Sequence, residues 1–222
     1  MSGLTKELLK KAYPLANTDA VEFINKYKDQ FGITTNKRLA AFVATCIVEC
    51  FGFRRYVEST KYTSASRLRQ VFPKTVPTLD LAKRLVASGD KGIANFVYGT
   101  KNGNRGRDTN DGWDYRGRGA IQITGRANYL AAAKSTGHDY VAKPELLSTH
   151  EHAIISAMDW WNRNGCNVLA DKLSSKADGT LVKTGVNYST SPTLRTLRIK
   201  VNGATNHIQD VGLHYDALIK GL

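Results

Sequence analysis

The chain has 222 residues, 41% hydrophobic and 23% charged, which are ordinary proportions for a globular protein long enough to bury a sizeable core. No stretch of about 18 residues is apolar and free of charge, so no membrane span is expected. Three cysteines are an odd count that argues against a disulfide framework and for small core residues in a reduced compartment. The formal net charge of +13 favours polyanions such as nucleic acid, anionic membranes or acidic wall polymers, but the basic residues are scattered rather than gathered into a tail.

The N-terminal MSGLTKELLKKAYP carries Lys6, Glu7, Lys10 and Lys11 where a secretory leader needs an apolar centre, so no cleaved signal is expected. Leu4 to Ala12 reads as a short amphipathic helix ended near Pro14. Asn17 or Thr18 can cap a helix through about Phe31, with Gly32 behind it. Next comes LAAFVATCIVECFGF, in which Leu39, Phe42, Val43, Cys46, Ile47 and Cys50 follow helical spacing and Glu49 is the only charged residue. Glu49 falls at the edge of the apolar stripe, where partial desolvation favours a protonated carboxyl. With a second carboxylate, Glu58, nine positions on, this is the pair that glycosidic bond cleavage uses. The plainer reading is a buried Glu49 paired with a neighbouring arginine such as Arg54 or Arg55.

Ser64 to Phe72 reads as a helix stopped by Pro73, and Leu79 to Ser88 as another. Gly99 to Gly119 is rich in Gly, Asn, Asp and Arg without a period, which marks a long loop of the kind that carries function. A short hairpin is expected near Arg118 to Ile123. Thr124 is placed to cap a helix from about Gly125 to Ser135 that Gly137 closes. Ser148 and Glu151 form a capping-box pattern for a helix through Trp161, with Gly165 at its end. Ser191-Pro192 starts a further helix, and Leu213 to Ile219 is weakly helical.

Five histidines, without HExxH or zinc-type cysteine spacing, give no metal site; His150 and His152 point to different sides of a helix. No G-x-S-x-G elbow is present. Gly117-Arg118-Gly119 does not continue as a dinucleotide fingerprint, and serves either close backbone approach or a tight turn. DGWDYRGRGAIQITGRANY, Asp111 to Tyr129, mixes Trp113 and Tyr115 with Arg116, Arg118, Gln122, Thr124 and Asn128. Flat rings beside hydrogen-bonding side chains suit a sugar; the plainer reading is a solvated loop, a helix cap and a core tryptophan.

This segment resembles the YGRGPIQLT/S…Asn-Tyr signature of family 19 glycoside hydrolases, the plant-type chitinases. The helix ending in Val48-Glu49 resembles that family's His-Glu catalytic helix, and Val201-Asn202-Gly203 its Asn-Gly-Gly. WWNRNGCN (Trp160 to Asn167) and YVAKPELL (Tyr140 to Leu147) resemble its phage endolysin branch. The resemblance covers about Ala12 to Tyr215. It implies an all-α, lysozyme-like, two-lobed fold with a central glycan cleft, one catalytic domain over 1–222 with a smaller lobe near 56–98, and no cofactor. Carried over, it makes Glu49 the general acid and Glu58 the general base. Thr124 becomes the residue that helps hold the attacking water, and Tyr115, Gln122, Asn128 and Asn202 become cleft residues. Arg118 joins them as a sugar-binding candidate from its place in the same segment. Val48 stands where many members have His, Ala204 follows Gly203 in place of a second Gly, and Val211 stands where Arg often follows Asp210.

The expected function is therefore inverting hydrolysis of β-1,4 bonds in peptidoglycan by an endolysin held in the bacterial cytoplasm until the inner membrane is breached. The alternative is a chitinase acting on N-acetylglucosamine polymers. The expected partners are peptidoglycan strands and, through net charge, anionic envelope polymers; the chain is expected to be a monomer. A nucleic-acid-binding module has only the charge in its favour and lacks a helix-turn-helix or aromatic-sheet signature.

Overall fold

The computed structural model describes residues 3–173, 188 and 191–222. Its helices, in chain order, are α1 (Lys6–Ala12), α2 (Ala20–Tyr27), α3 (Asn36–Glu49), α4 (Ala65–Val71), α5 (Leu79–Ala87), α6 (Gly89–Tyr98), α7 (Asp111–Asp114), α8 (Arg126–Thr136), α9 (His150–Arg163), α10 (Cys166–Asp171), α11 (Pro192–Asn202) and α12 (Ile208–Ile219). A 3-10 turn covers Pro144–Ser148. Extended pairing among the described residues is limited to two isolated bridges, Val57 with Arg118 and Arg118 with Ile123. The fold is thus all-α, and no helix among the described residues is long and apolar enough to cross a membrane.

The chain divides into two compact units. The first comprises Met1–Tyr56, Gly119–Ile121 and Ser148–Leu222, and α3 is its centre. Residues Leu39 through Ile47 are buried on every side of that helix, so the apolar stripe read from the sequence widens to the full circumference. Thr35 starts α3 by accepting the Arg38 N–H at 3.2 Å. α12 and α10 pack against α3, α1 against α12, and α2 against α9. Phe42 meets Trp161 edge-on, with ring centroids 5.6 Å apart.

The second unit comprises Val57–Arg118 and Gln122–Leu147. Leu68, Val76, Ala82, Leu85, Ile93 and Val97 form its core, with Tyr62, Phe72 and Tyr98 against them. The sequence gives no sign of α6, because Gly89 and Gly92 weaken it as a helix. Packing of Ile93, Ala94 and Val97 makes up for that weakness. The expected loop from Gly99 to Gly119 contains the short helix α7, which lies so close to α6 that a Cβ on Gly112 would come within 2.4 Å of the Ala94 carbonyl oxygen.

Three helix starts differ from expectation. α2 follows Asp19 with no side-chain cap from Asn17 or Thr18, and it ends at Tyr27 rather than near Phe31. α8, which Gly137 closes, is not capped by Thr124: Gly125, at φ 91°, is the residue before its first turn. Its free N–H groups go instead to Asn104 Oδ1, 2.7 Å from Arg126 N, and to the Asn102 carbonyl, 3.0 Å from Ala127 N. Likewise α9 begins after Thr149 with no side-chain cap. The Glu151 carboxylate turns to α2, where it accepts from Lys26 Nζ at 3.0 Å and from the Tyr27 hydroxyl.

Candidate active site

In the first unit, α3 is buried from Leu39 to Ile47 and surfaces again in its last turn, at Val48 and Glu49. The chain then passes through three successive left-handed residues, Phe51 (φ 53°), Gly52 (φ 67°) and Phe53 (φ 63°). Glycine is required in the middle, since a Cβ there would sit 2.4 Å from the Tyr13 ring. The other two are non-glycine residues in a region that costs about 1–3 kcal/mol each and persists only where surrounding structure dictates it.

The Glu49 side chain is 11% exposed and forms an ion pair with Arg198, itself 2% exposed; Arg198 Nη1 donates to Glu49 Oε1. Arg198 Nε donates to the Asn206 carbonyl at 2.6 Å. The neighbouring arginines Arg54 and Arg55 are exposed, and Arg55 lies over the Phe51 ring instead. The partner is therefore real but comes from α11, 149 positions away. Its sequence signal was available: Leu194, Leu197 and Arg198 share one buried face of α11, so an arginine stands on an apolar stripe.

In the second unit, Glu58 is held from three sides. Its N–H donates to the Gly117 carbonyl at 2.9 Å, and the Gly117 N–H donates back to Glu58 Oε1. The Tyr98 hydroxyl donates to Glu58 Oε2 at 2.9 Å. Burial, reinforced by the Glu58 charge, pushes the Tyr98 phenol far above its ordinary value, so it remains a donor. Nothing in the sequence pointed to Tyr98, which ends the unanticipated α6. A Cβ on Gly117 would lie 3.2 Å from Glu58 Oε1 and 3.1 Å from Gln122 Oε1, so both side chains converge on the space that glycine leaves. Gln122 reaches this place from a left-handed backbone, φ 57°. The strand-like pairing that frames it is the short turn expected there, with Arg118 N to Ile123 O at 3.1 Å and Ile123 N to Arg118 O at 2.7 Å.

The other candidates in this unit divide into buried and accessible. Arg118 is 5% exposed; its Nη1 donates to the Asp114 carbonyl and, at 3.0 Å, to the Tyr129 hydroxyl. Tyr115 is 6% exposed, donates to the Val141 carbonyl at 3.1 Å and packs on the Tyr129 ring. Burial pushes the Tyr129 phenol up to about 12, and that hydroxyl donates to the Arg116 carbonyl at 2.6 Å. The Arg116 guanidinium, lowered from its ordinary value by burial and by the Arg118 charge, lies 3.7 Å over the Trp113 ring. Thr124 is half-buried, and its hydroxyl donates to the Gln122 carbonyl at 3.0 Å. Asn128 is exposed and donates to the Thr124 carbonyl at 2.8 Å. Glu58, Tyr115, Arg118, Gln122, Thr124 and Asn128 therefore share one unit. Asn202 belongs with Glu49 in the other, exposed at the end of α11 before Gly203 at φ 76°.

No group of three His, Cys, Asp or Glu that could hold a metal occurs among the described residues. Cys46, Cys50 and Cys166 are free and buried, and burial pushes the Cys50 and Cys166 thiols up to about 12.

No protein-family model matches the chain. It is 31% identical over 177 residues to a glycosyl hydrolase family 19 domain-containing protein of Haemophilus influenzae, a match covering 80% of this chain and 86% of that one. A shorter stretch of 47 residues, 21% of this chain and 18% of the other, is 43% identical to Chitinase 8 of Oryza sativa subsp. japonica. Among solved structures, a bacterial family 19 chitinase aligns over 97% of this chain and 94% of its own at 15% identity, with a TM-score of 0.48. Chitinase C of Streptomyces griseus aligns over 92% and 76% at 16% identity, with a TM-score of 0.40. The Haemophilus match spans most of both chains, and on it this chain belongs to glycosyl hydrolase family 19 and is a glycoside hydrolase.

Proposed function

We propose that the protein is an endolysin that hydrolyses β-1,4 bonds of bacterial peptidoglycan, with Glu49 as general acid, Glu58 as general base and inversion at the anomeric carbon. The observation that carries the base assignment is the double grip on Glu58. Donors at Gly117 and Tyr98 fix both carboxylate oxygens and leave their remaining lone pairs to receive a proton from water. Thr124 gives its own proton to the Gln122 carbonyl, so its oxygen is free to accept from that same water. At Glu49 the Arg198 guanidinium engages Oε1, so the acid role requires that Oε2 take up a proton in the substrate complex before passing it to the leaving oxygen. In one displacement water attacks the anomeric carbon, Glu58 takes the water proton, the glycosidic C–O bond breaks and Glu49 protonates the departing oxygen. Arg118 and Tyr115, buried with protein partners, act by holding the loop, and Gln122, Asn128 and Asn202 are the proposed sugar contacts.

The peptidoglycan reading is supported by the net charge of +13, which draws the enzyme to anionic envelope polymers and does nothing for a neutral chitin chain. The enzyme would accumulate in the bacterial cytoplasm and meet its substrate once the inner membrane is breached. Chitin remains the second reading, favoured by the short match to a plant chitinase. Purified peptidoglycan and chitin oligomers, digested side by side, test both. Proton magnetic resonance of the first product anomer and mass spectrometry of the new reducing ends are the readouts. Faster turnover of chitin oligomers overturns the substrate, and an initial β-anomer overturns the mechanism.

A further inference from the structure

The unit that holds Glu49 has a concavity of about 330 Å3, lined by Tyr13, Val48, Phe51, His207, Asp210 and His214. That is the lower end of the size range of small-ligand sites. Two of its walls are strained: Phe51 at φ 53° and His207 at φ 58° are non-glycine residues in the left-handed region. Strain of this kind clusters where a side chain must be presented to a ligand. The pocket is tied to Glu49 by covalent and hydrogen-bonded links. Val48 immediately precedes Glu49, and Arg198, which pairs with Glu49, also grips the Asn206 carbonyl just before His207.

Its chemistry is unlike that of a sugar subsite. Among the described residues no Ser, Thr, Asn or Gln lines it, so none of them brings the short amide or hydroxyl groups that match pyranose hydroxyls. One side is apolar, from Ile47, Val48 and the 56%-exposed Phe51 ring. The other carries two imidazoles. His207 Nδ1 lies 3.1 Å from Asp210 Oδ2, which leaves Nε2 for a ligand. His214 Nδ1 lies 2.9 Å from the Ala12 carbonyl and donates to it, so Nε2 is left to accept. Burial lowers His214 from its ordinary value and keeps it neutral near pH 7.

We infer that this pocket binds the peptide stem of peptidoglycan, the short chain of alanine and diacid residues that branches from muramic acid. The inference rests on the peptidoglycan reading above. In that polymer the free carboxylates, peptide N–H groups and alanine methyls all lie on the stem. Val48, Ile47 and Phe51 suit the methyls, and the Nε2 acceptors of His207 and His214 suit peptide N–H groups. Chitin has no such branch, so the pocket is where the two substrates are told apart.

The test compares intact glycan strands with strands whose stems have been removed by an amidase, each as kcat/KM. Wild type is expected to prefer the stem-bearing strand by about tenfold, the size of one good anchoring contact. Phe51→Gly and His207→Asn remove the ring and the imidazole, while both replacements accept a left-handed backbone. Each should bring the preference close to one. Because the readout is a ratio within one protein, a partial loss of folded enzyme cancels. Equal wild-type rates on the two strands, or variants that keep the wild-type preference, overturn the inference and leave the peptidoglycan reading standing. A wild type that cuts neither strand but cuts chitin oligomers removes both.

Discussion

Breaking the Glu49–Arg198 pair from one side at a time tests the environment of the proposed acid. The two side chains are 11% and 2% exposed, so neither charge is rehydrated without moving α3 or α11. Arg198→Met roughly keeps the volume, strands the Glu49 carboxylate and leaves the Asn206 carbonyl without its donor. Removing one partner of a buried pair costs about 3–5 kcal/mol. In a chain of this size each kcal/mol moves the melting temperature by about 2–4 °C, so a drop of about 6–20 °C is expected. Glu49→Gln keeps an acceptor for Nη1 yet leaves a buried cation uncompensated, with an expected cost of about 1–3 kcal/mol. The double variant has no buried charge and is expected within about 2 kcal/mol of wild type, far from the sum of the singles. Thermal and denaturant unfolding of the four proteins gives the coupling directly. An Arg198→Met protein that melts within about 2 °C of wild type, or a double variant that is simply additive, refutes the buried-pair argument.

Glu49→Gln, assayed well below its own melting temperature, should lose about 10²–10⁴-fold in lysis because an amide cannot deliver the proton; Glu58→Gln should lose a similar factor, and folded variants of either that retain a third of wild-type activity would falsify the pair. Gly117→Ala places a methyl 3.2 Å from Glu58 Oε1, so turnover on purified substrate should fall well beyond any loss of melting temperature. Asp111, 2% exposed and held below the usual carboxylate range by hydrogen bonds from Arg105, adds stability that is fully present above its unfolded value of about 3.9 and fades as pH falls through the lower folded value. The melting difference between wild type and Asp111→Asn should therefore be constant above about pH 5 and shrink below about pH 4, and a difference that grows on acidification contradicts the assignment. Thr124→Ala should lower lysis at least about tenfold with little loss of stability, since Gly125 and Asn104 start α8, while Thr124→Ser stays active; a fully lytic Thr124→Ala removes the residue from the site.

How much was legible depends on the range of the interaction. α3 was readable because its apolar residues recur at helical spacing, and Ser191-Pro192 because a cap and a first-turn proline act locally. The caps on α8 and α9 were misread for the complementary reason. The pattern around Thr124 and the Ser148–Glu151 pair are locally sufficient, but Asn104 and α2 compete for the same groups from 22 and 125 positions away. α6 was hidden because its two glycines speak against a helix that only the core of the second unit stabilises.

The site followed the same rule. Glu49 announced itself as a lone charge in an apolar run, whereas its counter-charge had to be found on another helix. An arginine on the apolar stripe of α11 and a carboxylate on the edge of the stripe of α3 are each anomalous alone. Together they satisfy one another, because a buried charge without a partner costs several kcal/mol. Glu58 shows the reverse case: its sequence neighbourhood is unremarkable, and its role is argued from donors that arrive from Gly117 and Tyr98. One carboxyl is marked by its surroundings in the chain; the other is named there only by its distance from Glu49 and by the family resemblance, and its donors come from the fold. A charged residue on an apolar helical stripe is therefore best read with every other such anomaly in the chain, since the fold must pair them.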